Sequence, residues 1–199
     1  MRLDFVRRDI RRGIFEKLYH SNLRQLIIGF ECSDQESLDS IRKEYKIIAN
    51  EKTINWIHQH CPKIFVQGTF INGMWNDDQS SFKKNLEYAR RMNLDLPGFG
   101  ALKPFPGTEL STFYKEKGLL DNVSTDEYRF DNTVVPTKYL DIKSVDQLNS
   151  LSNMKYIIHP KYLFNILFLM SSYRRKMHWI FFRRMIISMI KKITDPLIK

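Results

Sequence analysis

The run Leu26-Ile27-Ile28-Gly29-Phe30 is uninterrupted apolar sequence, and it ends in Glu31-Cys32-Ser33-Asp34. A short continuous apolar run bounded by polar residues reads as a strand of a parallel sheet, covered on both faces. The same signature returns at Lys63 to Ile71 (KIFVQGTFI), and a looser extended piece runs from Leu94 to Lys103. Between these runs the apolar spacing turns helical. Gly13 to His20 carries Ile14, Phe15 and Leu18, a helix is expected from Gln35, and another from Glu51 through Trp56. Ser81 to Met92 places Phe82, Leu86 and Ala89 on one stripe. Leu3-Asp4-Phe5-Val6 reads as a further short strand ahead of them. Four β–α repeats in about 118 residues imply an α/β fold with a parallel sheet and right-handed crossovers. Periodicity leaves two arrangements open, a doubly wound sheet and a partial (β/α) barrel arc of about four strands.

Outward from this region the pattern changes twice. PFPGTEL (Pro104 to Leu110) restricts the backbone at two prolines before a helix over Leu110 to Lys117. Residues 121–144 mix acids and aromatics and read as an extended excursion, and Val145 to Leu151 as a short helix. From residue 160 apolar blocks alternate with basic ones: Arg174-Arg175-Lys176, Arg183-Arg184, Lys191-Lys192. Three regions follow: 1–120 the β/α part, 121–159 a connecting region, 160–199 a basic, aromatic, helical tail.

The chain has 199 residues and a formal charge of +10, unevenly spread. Residues 155–199 hold ten Lys/Arg and one Asp, a net of +9, leaving +1 for the rest. Basicity confined to a tail argues against a general nucleic-acid-binding surface and for an anionic membrane or an acidic partner of the tail alone. The longest uncharged stretch there, Tyr162 to Tyr173, is 12 residues, shorter than the roughly 17–25 needed to span a bilayer. MRLDFVRRDIRRG lacks the apolar core of a secretory signal, so a cytoplasmic location is expected, with the tail available to the inner face of the membrane.

Ligands of parallel α/β folds sit beyond the carboxyl ends of the strands. Glu31 stands at one such end, where a carboxylate accepts hydrogen bonds from ligand hydroxyls or an ammonium; it reads equally as a loop acid or helix cap. Ile71, Asn72 and Gly73 stand at another, Gly73 letting backbone approach a flat ligand or serving as a plain turn glycine. Cys32 and Cys61 cannot supply an iron–sulfur or structural zinc site by themselves. His58 and His60 are two apart in a helical segment and face different ways. No phosphate loop, HExxH or GxSxG motif occurs.

The order LIIGFECSDQESLDSIRK, VQGTFINGM, FGALKPFPGTELSTFYKEKG resembles the radical S-adenosylmethionine superfamily, nearest the subgroup with an N-terminal cobalamin-binding domain. The resemblance implies that residues 1–120 are the third to sixth strands of that barrel, with S-adenosylmethionine held near Gly29, Glu31, Ile71, Asn72 and Gly73. Phe70 to Asp77 departs from the family stretch at Asn72, Trp75, Asn76 and Asp77, whereas Pro104 to Leu110 follows it closely. The family's CxxxCxxC loop is absent, so the [4Fe–4S] cluster and cobalamin are expected of the family's whole enzymes and not of this chain. The resemblance thus implies a fragment or split half of such an enzyme, inactive alone, pairing with a missing half or with itself through an open sheet edge. Two other readings stand beside it: a membrane-peripheral or protein-interaction module built on the tail, and an unrelated α/β small-ligand-binding domain.

Overall fold

The computed structural model describes residues 1–33, 48–121, 123–129 and 132–194. The helix expected from Gln35 lies outside them. The chain opens with two helices, α1 (Leu3–Arg11) and α2 (Ile14–His20), hinged at Gly13, whose φ of +65° suits glycine. The expected strand over Leu3 to Val6 is therefore corrected to helix. Leu3 and Val6 are three apart and fully buried, and Ile10 packs against the same core. That is a helical stripe, reinforced by Asp4 in the first turn and Arg8 and Arg11 in the last, which complement the helix dipole.

Three strands follow, β1 (Gln25–Glu31), β2 (Phe65–Asn72) and β3 (Leu96–Ala101), parallel and in sequential order β1-β2-β3. The register aligns Ile27 with Gln67 and Leu96, and Gly29 with Thr69 and Gly98. Helices α3 (Ile48–His60) and α4 (Gln79–Arg91) connect them, α4 starting on a capping box between Asp78 and Ser81. α5 (Glu109–Glu116) follows β3, then a 3₁₀ turn at Thr125–Glu127, the long α6 (Ile142–Ile157), α7 (Pro160–Phe164), a π-helical turn at Asn165–Leu169, and α8 (Ser172–Thr194). α6 is longer than the Val145 to Leu151 segment expected. The architecture is α/β, three parallel strands among helices, and a fourth strand of the arc is not found among the described residues.

One face of the sheet builds the core. Leu26, Ile28, Phe30, Val66, Phe70 and Phe99 are buried there. The rings of Phe30 and Phe70 stack at 5.5 Å and those of Phe70 and Phe99 at 5.2 Å, with Tyr88 of α4 set edge-on to Phe30 and Phe70. Such pairs add about 0.5–1.5 kcal/mol each beyond the area they bury. Gly68 makes this ladder possible, because a Cβ there would meet Leu94 Cδ1 at 2.4 Å and two ring carbons of Phe30 at 3.0 Å.

Both sheet edges have local partners. The amide of Asn153 in α6 accepts from the backbone N–H of Phe99 (3.2 Å) and donates to its carbonyl (3.1 Å), mimicking a neighbouring strand. On the other edge the Met1 nitrogen donates to the Ile27 carbonyl (2.7 Å), and the Gly29 N–H donates to the Met1 carbonyl (3.3 Å). Edge groups paired in this way are withdrawn from indiscriminate pairing with other chains.

Candidate functional site

The second face of the sheet is sparsely covered. Ile27 is half exposed, Thr69, Gly98 and Gly100 are exposed, and Gln67 and Ile71 are half-buried. The expectation that Leu26 to Phe30 is covered on both faces is thus corrected: alternation along the strand buries Leu26, Ile28 and Phe30 but leaves Ile27 in the open. This face carries small groups. Gly29, Thr69 and Gly98 form one row across the three strands, and Ile71 with Gly100 the next. A Cβ on Gly98 or Gly100 would have only backbone oxygens near it, at 4.0 and 3.8 Å. The result is a shallow trough floored by backbone. Toward the carboxyl ends Ile71 leans on a second apolar cluster of Leu102, Tyr114, Leu120, Val134 and Val135, brought there by α5 and the excursion after it.

Glu31 stands at the carboxyl end of β1. The register slips between Gly29 and Glu31, so Phe30 is the extra residue of a bulge, and Glu31 has a φ of +66°. A non-glycine residue in the left-handed region costs of order 1 kcal/mol and gathers at functional positions. The bulge bends the strand and re-aims the side chain beyond it.

Asn72 and Gly73 belong elsewhere. The Asn72 amide is fully buried, donating to Asn149 Oδ1 (2.8 Å) and accepting from Asn85 Nδ2 (2.6 Å), which ties β2 to α6 and α4. Neighbouring positions on a strand point to opposite faces, so Ile71 and Asn72 lie on opposite sides of the sheet. Gly73 has φ +82°, and a Cβ there would meet Val145 Cγ1 of α6 at 3.0 Å. Its N–H and that of Met74 both donate to Asp77 Oδ2, closing the loop on itself. Of the five candidates, Gly29 and Ile71 share the open face, Glu31 ends the strand beside it, and Asn72 and Gly73 face α6. Thr69, Gly98 and Gly100 complete the trough; the alternation in VQGTFI and the spaced glycines of GFG (Gly98 to Gly100) were the sequence signals for them.

A charged cluster occupies the opposite end of the sheet. Asp95, just before β3, is fully buried and accepts from Arg174 Nε (2.7 Å) and from the Val66 N–H (2.8 Å), with Arg174 Nη2 at 2.6 Å. His178 Nε2 lies 3.5 Å and His58 Nε2 3.8 Å from its carboxylate. Burial pushes this carboxyl up, but the approach of the His178 ring and the charges of Arg174 and His58 outweigh it and hold the group below the ordinary range. His58 is lowered to about 4, first by burial and then by the Arg174 charge, against the pull of Asp95. The cluster docks α8 onto the sheet. Cys61 is buried, and burial followed by the Glu16 charge raises its thiol, which keeps it protonated and poorly nucleophilic. Among the described residues no three His, Cys, Asp or Glu gather as a metal would require.

No protein-family model matches the chain. Three curated proteins are similar to parts of it. The bacteriochlorophyllide d C-12(1)-methyltransferase of Chlorobaculum tepidum is 34% identical over 89 residues, 44% of this chain and 19% of that protein. The bacteriochlorophyllide d C-8(2)-methyltransferase of the same organism is 22% identical over 115 residues, 57% of this chain and 25% of that protein. An uncharacterized methyltransferase of Pyrococcus horikoshii is 20% identical over 141 residues, 71% and 28% respectively. The chain thus spans between a fifth and just over a quarter of the length of these relatives.

These findings correct the resemblance drawn from sequence. The relatives are named for methyl transfer, and none of their names carries radical chemistry, an iron–sulfur cluster or cobalamin. Assignment to the radical S-adenosylmethionine superfamily, the fragment or split-half reading built on it, and the [4Fe–4S] and cobalamin expected with it are replaced by the coarser likeness to methyltransferases. Among the described residues no helix is long and apolar enough to cross a membrane.

Proposed function

We propose that the chain binds S-adenosylmethionine on the open face of its sheet and serves methyl transfer. The observation that carries this is the open, glycine-lined face of a parallel sheet, in a chain whose curated relatives are named methyltransferases. A parallel sheet is ordinarily covered on both sides, so an uncovered face floored by Gly29, Thr69, Gly98 and Gly100 calls for a flat occupant that tolerates backbone at close range. A purine ring fits that description. It stacks on the trough with Ile71 as its apolar wall, while Glu31, past the bulge, accepts hydrogen bonds from the ribose hydroxyls or the amino-acid ammonium of the cofactor. The cofactor supplies an electrophilic methyl group. The residues named here bind and orient it.

The test is binding of S-adenosylmethionine to the purified protein by calorimetry, with Glu31→Gln, Gly98→Leu and Gly100→Leu. A Cβ at either glycine makes only ordinary van der Waals contact with a backbone oxygen, so folding is retained while the trough fills. Affinity at least tenfold weaker in each variant is expected. Undiminished binding in the glycine variants, or none by the unaltered protein, overturns the proposal.

The α/β small-ligand-binding reading shares the same trough and differs only in the ligand. Competition by adenosine separates the two, since only a purine site responds to it.

A further inference from the structure

The tail docks with its polar side inward. Tyr162 donates its hydroxyl to the Asp95 carbonyl (2.6 Å), Asn165 Nδ2 donates to Asn93 Oδ1 (2.7 Å), Ser171 Oγ donates to the Pro62 carbonyl (2.8 Å), and Arg174 pairs with Asp95. Tyr162, Asn165, Arg174 and His178 are all buried. Met170, Ile166 and Phe181, the last stacked on Phe65, turn inward with them, whereas most of the other large apolar side chains of the segment point the other way. Phe168 is 68% exposed, Leu169 69% and Trp179 63%, and Phe164, Leu167 and Phe182 are exposed with them. Phe164 and Phe168 touch at 4.9 Å, and Trp179 and Phe182 at 6.1 Å, so these groups form clusters on the surface rather than scattered single residues. This inverts the usual burial order, and soluble monomers rarely leave contiguous apolar patches beyond about a few hundred Å².

We propose that the outward face of residues 160–187 docks on an anionic phospholipid bilayer. Charge selects this occupant. Lys161, Lys176, Arg183 and Arg184 are exposed among the apolar groups, and residues 155–199 carry ten Lys/Arg against one Asp. Arg174 takes no part, since Asp95 neutralises it in the core. An amphipathic helix with cations beside aromatic and aliphatic anchors lies in the plane of the interface, its apolar groups in the acyl boundary and its cations at the headgroup phosphates. The basic pairs that interrupt α8 prevent it from spanning and suit it to lying flat. A nucleic acid would use the cations and leave the exposed Phe, Leu and Trp in water. This inference is independent of the methyltransferase reading.

The experiment is co-sedimentation of the whole protein with phosphatidylcholine vesicles and with phosphatidylcholine–phosphatidylglycerol vesicles. Binding to the mixed vesicles alone, weakened by salt, is expected. Arg183→Gln with Arg184→Gln weakens partitioning about 25-fold, roughly fivefold for each near-surface cation. Phe164→Ser with Phe168→Ser, at exposed positions that leave the fold intact by circular dichroism, abolishes it. Brominated lipid quenches tryptophan emission in the parent and much less in Trp179→Phe. Failure to bind either vesicle overturns the proposal, as does equal partitioning of the Arg183/Arg184 variant. So does a stable dimer in solution that Phe164→Ser with Phe168→Ser dissociates, which would assign the face to protein association.

Discussion

Replacing Arg174 by Met isolates the contribution of a strong buried ion pair that holds the tail to the sheet. The Arg174 side chain is 7% exposed and that of Asp95 0%, with oxygen–nitrogen distances of 2.6 and 2.7 Å. Met retains most of the aliphatic volume and removes the charge, leaving a carboxylate stranded among Val66, Tyr162 and the two histidines. Breaking a buried pair from one side costs about 3–5 kcal/mol, because the remaining charge loses its compensation. The loss is expected in urea denaturation at pH 7, followed by tryptophan fluorescence. Asp95→Asn with Arg174→Met should recover part of it, since the neutral amide no longer needs a cation and its oxygen still accepts from the Val66 N–H. The pH dependence supplies an independent sign. The Asp95 carboxyl is depressed in the folded protein, so its stabilisation is present above the unfolded carboxylate range near 4 and lost as pH falls through the lower folded value. Without Arg174 the carboxyl rises, and the gap between variant and parent narrows as acid protonates it. A deficit below about 1 kcal/mol at pH 7, or one that stays constant down to acid pH, would refute the reasoning.

Two further outcomes are expected. Gly68→Ala forces a methyl group against Leu94 and Phe30 in the aromatic ladder and lowers stability by about 1–3 kcal/mol, read from the shift of the urea midpoint; an unchanged midpoint would show that the core yields freely there. His58 is held at about 4 against an ordinary 6.5, so between those values the unfolded chain binds the extra proton and stability rises with pH, by about 3 kcal/mol across the window. His58→Gln should flatten that rise, which denaturation at pH 4, 5 and 6.5 would show.

Much of the fold was legible because strands and helices leave local marks. LIIGF and FVQGTFI fall on β1 and β2, and the Phe82, Leu86, Ala89 stripe lies on α4. Leu3 to Val6 misled because four residues are too few to separate a period of 2 from one of 3.6; only Ile10, one turn further on, reveals the helical stripe. Ile71 and Asn72 share a strand's carboxyl end in the sequence, but a strand sends adjacent side chains to opposite faces, which only the packing of α4 and α6 reveals.

By itself the sequence determined the α/β alternation, the parallel strands, and the concentration of positive charge in the last 45 residues. Each of these is a property of neighbouring residues or of composition. The tertiary structure decided the rest. It paired Asp95 with Arg174, 79 residues away, and so turned one tail cation into a core residue. It bound Asn72 to Asn85 and Asn149, on the side of the sheet away from the glycine-lined face. It also set which side of the tail faces water. An apolar block with interspersed cations reads the same whichever side is buried, and the partners on the sheet, Asp95, Asn93, the Pro62 carbonyl and the Phe65 ring, draw Tyr162, Asn165, Ser171, Arg174 and Phe181 inward and leave Phe164, Phe168, Trp179 and Phe182 exposed.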